Sequence, residues 1–118
     1  MANPNIVNVT TIYGNTASVA ALTTATNNVV NPASSGQLYK INSLIAANIN
    51  TVSSSISLEL NNNGSNNYLA RNVVVPANSS LVIIGKDTGI YLLENCILQV
   101  TASAAGCIVT TASWEQIS

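Results

Sequence analysis

The sequence predicts an all-β protein: a single two-layer antiparallel β-sandwich of seven or eight strands, with jelly-roll or immunoglobulin-like topology. Three observations carry that expectation. No window repeats its apolar residues at the three-to-four spacing of a helix. Val, Ile and Thr, which fit pleated surfaces, stand where helix formers would otherwise be found. Turn signals built from Asn, Gly, Pro and Ser recur at intervals of about ten to twelve residues.

Along the chain, "NPNIVNVTTIYGN" comes first, with apolar groups at Ile6, Val7, Val9, Ile12 and Tyr13. It reads as a first strand or as an arm reaching a neighbouring subunit, so residues 1–16 are set apart from a sandwich domain spanning 17–118. "ASVAALTTATNNVVN" is one long strand or two short ones, closed by the Pro- and Gly-punctuated loop "NPASSG". "QLYKINSLIAANI" is a strand of ambiguous parity. Tyr39 and Ile41 share a face that Leu44 and Ile45 cannot both continue, and a bulge or burial on both faces resolves this.

"SISLEL" alternates cleanly, with Ile56, Leu58 and Leu60 inward and Ser55, Ser57 and Glu59 outward. "YLARNVVV" follows, with Leu69, Val73 and Val75 on one face and Arg71 sharing it near the strand's start. Between the two lies "NNNGSNN". Asn and Gly tolerate left-handed backbone, and Asn amides bond locally to the main chain, so this cluster is the tip of a hairpin. "SSLVIIG", the turn "GKDTG" and the short "IYLLEN" come next, and "CILQVTAS" with "CIVTTASWEQI" reads as a closing hairpin. That hairpin would place Cys96 and Cys107 too far apart along the ladder to be bridged, leaving both as small core thiols.

Composition bounds function. The 118 residues are 47% hydrophobic and only 6% charged, with a net charge of −1, so solubility rests on Asn, Ser, Thr and Gln. Three basic residues cannot neutralise a phosphate backbone, and nucleic acid is not an expected partner. No apolar run approaches the ~20 residues of a membrane-spanning helix, and no signal peptide opens the chain, so synthesis in a reducing cytoplasm and no membrane partner are expected. A surface this neutral has little repulsion to keep copies apart and suits a protein that works packed against others.

The same composition argues against catalysis. Histidine is absent and only four carboxylates occur, Glu59, Asp87, Glu94 and Glu115, with no spacing that converges them. No calcium loop, zinc set, phosphate loop or nucleophile elbow is present, so no cofactor and no metal are expected. Trp114, the single Trp, is assigned to core or core-edge packing. Partner contacts are assigned to the N-terminal segment, through Ile6, Val7, Val9, Ile12 and Tyr13, and to the amide tip, through Asn62, Asn63, Asn66 and Asn67. Neutral amides can bond a neighbour without the salt sensitivity of charge pairs.

The runs "NIVNVTTIYGNTA", "SSGQLYKINSLIAANI" and "LVIIGKDTGIYLLENCILQVTASAAGCIVTTASWEQIS" together resemble small virion structural proteins of tailed bacteriophages, particularly of phages that infect cyanobacteria. The matching runs cover most of the chain from Asn5 to Ser118, and Cys96 and Cys107 depart from the Gly, Asp or Ser expected in such turns. The resemblance implies a non-enzymatic capsid decoration or cement protein. It would be made in the host cytoplasm and seated on the outer capsid surface, where it binds the major capsid protein or other virion proteins as a homo-oligomer such as a trimer. Two other readings stand beside it. One is a head-fibre or tail-associated virion protein, and the other a carbohydrate-binding sandwich using Trp114, Tyr68 or Tyr91.

Overall fold

The computed structural model describes residues 11–85 and 90–118. They form nine strands, β1 (Ile12–Ala20), β2 (Thr26–Asn31), β3 (Leu38–Asn48), β4 (Ser54–Asn62), β5 (Ser65–Val75), β6 (Ser80–Ile84), β7 (Ile90–Leu92), β8 (Cys96–Ala102) and β9 (Ile108–Ile117). One sheet runs β1-β9-β3-β6 with β7 also on β3, and the other runs β2-β8-β4-β5. All pairings are antiparallel. Because β6 and β7 lie end to end along the same edge of β3, each sheet has four positions. The strand order is then that of a jelly roll, with the immunoglobulin-like alternative set aside.

Nine strands replace the seven or eight expected, with "ASVAALTTATNNVVN" divided between β1 and β2. Ile12–Thr16 are the opening residues of β1 and continue without a break into 17–20. The parity puzzle of β3 is resolved by a bulge at Asn42, where the register against β9 slips between Ile41 and Ser43. Tyr39 and Ile41 before it, and Leu44, Ala46 and Asn48 after it, all turn inward.

Two expectations are corrected. First, β8 and β9 do not form a hairpin, since β8 pairs β2 and β4 while β9 pairs β1 and β3 in the opposite sheet. Two adjacent apolar strands separated by a turn look alike whether the turn folds back within a layer or crosses between layers. Cys96 and Cys107 are both free, but only Cys96 is buried, and Cys107 sits half-buried at the opposite end of the sandwich. Second, Leu69 and Arg71 are exposed, because irregularities at Leu58/Glu59 and Ile56/Leu58 insert extra residues into β5. Asn72, at φ 51°, takes the left-handed conformation, and its amide N–H donates to Ser57 Oγ at 2.9 Å. Ala70 therefore faces the core where alternation assigned Leu69, while Val73 and Val75 face it as expected.

The core lies between the sheets around Ile41, Leu44, Ile56, Leu58, Leu98 and Ile108, all fully buried. Trp114 packs against it as expected, its ring stacked on Tyr39 with centroids 6.0 Å apart. Burial pushes the Tyr39 hydroxyl above its usual pKa of 10.0. The folded state therefore holds that proton more tightly than the unfolded chain, and stability present below pH ~10 is lost as pH rises through the folded-state pKa. Tyr39→Phe is expected to flatten this alkaline loss, which thermal melts from about pH 9 to 11 would read.

Candidate docking surface

The molecule is elongated, 47 × 25 × 19 Å, and its two ends differ chemically. One end gathers the β2–β3 loop (32–37), the β4–β5 hairpin and the β7–β8 loop (93–95). Left-handed Ser34, Asn63 and Asn95 shape these reversals, and their amides also join the loops. The Asn63 N–H donates to the Asn95 carbonyl at 3.2 Å, and the Asn95 side-chain amide donates to Asn63 Oδ1. Glu94 Oε2 accepts the Gly36 N–H at 3.0 Å. An open groove of about 390 Å³ runs among Ser34, Asn62, Asn63, Glu94 and Asn95.

Two of the assigned partner residues, Asn62 and Asn63, thus line this groove. Asn66 and Asn67 are exposed on β5 beyond the turn. Ile12 and Tyr13 begin the edge strand β1 at the same end, 55% and 58% exposed. Ile6, Val7 and Val9 lie outside the described residues, as does Asp87. The other carboxylates sit apart, Glu59 on β4, Glu94 in the β7–β8 loop and Glu115 on β9. Among the described residues no three of His, Cys, Asp and Glu cluster as metal ligands, and no helix is long and apolar enough to cross a membrane.

The opposite end was not legible in the sequence. It gathers four connections: residues 21–25, 49–53, 76–79 and 103–107, none of them charged. Backbone bonds tie the four together. Gly106 N–H donates to Ala21 O at 3.1 Å, Ala102 N–H to Leu22 O at 2.8 Å, Ile49 N–H to Cys107 O at 2.9 Å and Asn78 N–H to Asn50 O at 3.0 Å. Buried Asn48 locks the β3–β4 loop from beneath, donating to the carbonyls of Val52 and Val75, each at 3.0 Å, and accepting the Asn50 N–H at 2.9 Å.

On this braced platform stand apolar side chains without cover. Ile49 is 64% exposed and Val52 65%, with Val74 at 62% on the adjoining end of β5 and Leu22 half-exposed beside β8. A second open groove, of about 430 Å³, lies beside Ile49, Asn78 and Ser80. Scattered exposed Val or Leu residues are ordinary. Several at one end, beside loops held by hydrogen bonds and free of charge, form an exposed apolar patch. The available signal was the apolar pair inside "NINTVSSS", a stretch otherwise composed as a loop.

The aromatics considered for sugar stacking do not converge. Trp114 is committed to Tyr39 and the core edge, and Tyr91 and Tyr68 project from opposite sheets. Arg71 lies over the Tyr68 ring at 5.0 Å. Comparison with family models, with curated proteins and with solved structures finds no match to this chain.

Proposed function

We propose that this chain is a non-enzymatic virion component, a decoration protein that docks onto a capsid lattice through its uncharged apolar end. The observation that carries the reading is the exposure of Ile49 and Val52 on a hydrogen-bonded loop that holds no charge, with Val74 exposed at the adjoining end of β5. The resemblance of the sequence to small phage virion proteins supplies the identity of the lattice. Jelly rolls serve in both viral capsid and lectin domains, so the fold is compatible with the role without selecting it.

Magnitudes shape the mechanism. Covering these side chains would release on the order of 8 kcal/mol at ~25 cal/mol per Å², which is within the ~4–15 kcal/mol that association itself costs. A single copy therefore holds weakly. Firm attachment comes from linking copies so that each further contact is intramolecular, and a ligand that binds only the assembled shell stabilises that shell by mass action.

Co-sedimentation with empty shells of the cognate phage tests this. Ile49→Asp with Val52→Asp is expected to weaken shell binding about 100-fold, by burying charge against an apolar partner. Because both sites are exposed, stability should change by less than ~0.5 kcal/mol per site. Shell binding that survives both changes would overturn the assignment of the face. Failure to bind any shell, together with specific retention on a glycan array, would replace the role with carbohydrate recognition.

A further inference from the structure

Among the described residues β1 is the one long edge strand that carries none of the usual defences against pairing. Its partner β9 matches it residue for residue from Ile12 to Ala20 without a register shift. The strand reads "IYGNTASVA", with no charge and no proline. The other edges are blunted: β2 has six residues and a register shift at Asn27/Val29, β5 is bulged and carries Arg71, and β6 and β7 are short, with five and three residues. A regular, uncharged edge presents an unpaired row of N–H and C=O groups, a template for another strand.

Which groups are free follows from the ladder. Thr11 and Ser118 exchange both backbone bonds, at 3.1 and 3.0 Å, and Ala21 N–H donates to Ile108 O at 2.8 Å. In an antiparallel pair, residues turned toward the partner alternate with residues turned away. Odd-numbered residues of β1 therefore bond β9, while Ile12, Gly14, Thr16, Ser18 and Ala20 aim their backbone groups outward.

We propose that this edge pairs with β1 of a second copy, antiparallel about a two-fold axis through Thr16, joining two sandwiches through one continuous sheet. The register is self-complementary. Ile12 meets Ala20 of the other copy, Gly14 meets Ser18 and Thr16 meets itself, so every outward backbone group finds a partner. On the inner face Tyr13 lies opposite Val19 and Asn15 opposite Ala17. The strand's bulky, exposed end thus covers the small-residue end of its mate, whereas a parallel in-register pairing would set Tyr13 against Tyr13. Charge does not oppose the approach, since β1 and β2 carry none and the whole chain has a net charge of −1. The contact is a strand's width rather than a broad face, so the dimer is reversible and of the weaker class. The inference stands on this strand alone and holds whichever larger structure the chain joins.

Sedimentation velocity across a concentration series of the full chain is expected to show a monomer–dimer equilibrium. Thr16→Lys places two cations at the axis and is expected to weaken the dimer about 100-fold. Thr16→Pro removes an outward N–H that β9 does not use, and is expected to do the same with the fold intact by circular dichroism. In a Cys107→Ser background, Thr16→Cys is expected to give a disulfide-linked dimer on mild oxidation, because directly paired residues lie ~5.5 Å apart at Cα, within disulfide reach. A chain that stays monomeric at every concentration overturns the proposal, whether residues 1–10 or nothing takes the edge. So does a dimer that Thr16→Lys leaves unchanged and that Thr16→Cys fails to link.

Discussion

Asn48→Ala is expected to lower the unfolding free energy by about 2–4 kcal/mol, among the largest effects available to a single polar residue here. Asn48 is buried at the end of β3 and satisfies three backbone groups, the carbonyls of Val52 and Val75 and the N–H of Asn50. Truncation removes both donors and the acceptor at once. Asn50 is exposed and can turn to water, but Val75 is fully buried and its carbonyl loses the Asn48 bond away from solvent. Denaturant melts would read the change directly, and the midpoint of thermal unfolding should fall by roughly 10 °C.

Asn31→Ala is the matched control at the other end. Asn31 donates to the carbonyls of Gln37 at 3.0 Å and Leu92 at 2.9 Å, and accepts the Ser35 hydroxyl at 2.6 Å. The two variants should lose comparable stability. Only Asn48→Ala frees the loop that carries Ile49 and Val52, so at temperatures where both remain folded it alone should weaken shell binding. Equal loss of binding by both would say that the apolar end is not the contact.

Leu58→Ala is expected to cost about 3–4 kcal/mol. Leu58 is fully buried at the middle of β4, paired to Ala70 on one side and Val100 on the other. The small Ala70 neighbour and the ladders on both flanks limit collapse into the vacated space, which keeps the cost above the lower end of the usual range. A domain of this size is generally stable by only ~5–15 kcal/mol, so the variant should unfold at markedly lower denaturant with an unchanged slope. Val74→Ala, one strand away but exposed, should fall within ~0.5 kcal/mol of the parent.

The amide-rich tip shows how far local chemistry reaches. Left-handed backbone occurs at Asn63, Asn72, Asn78 and Asn95, so turn and bulge geometry answers part of the abundance of Asn. Hydroxyls answer another part of this polar composition, pairing across the β1–β9 ladder at Ser18 and Thr111, 2.8 Å apart. Of the assigned contact residues, Asn62 and Asn63 share a groove, whereas Ile12 and Tyr13 belong to the edge strand. The apolar end leaves little mark in the sequence because its members, Leu22, Ile49, Val52 and Val74, come from segments far apart in the chain. Exposure of Ile49 or Val74 is a property of what the sandwich leaves uncovered.

Composition, alternation and turn chemistry were sufficient by themselves for an all-β sandwich, for the inward faces of β4 and for the hairpin at Asn62–Ser65, because each depends on neighbours within a few residues. Tertiary structure alone decided that β8 and β9 part into different sheets, that bulges turn Leu69 outward, and that β1 lies at the edge of its sheet among the described residues. Those outcomes hang on which strand lies across the layer, and pairing over such separations leaves no local trace. Side-chain period is two whatever the partner, so a crossing connection and a hairpin are written in the same residues.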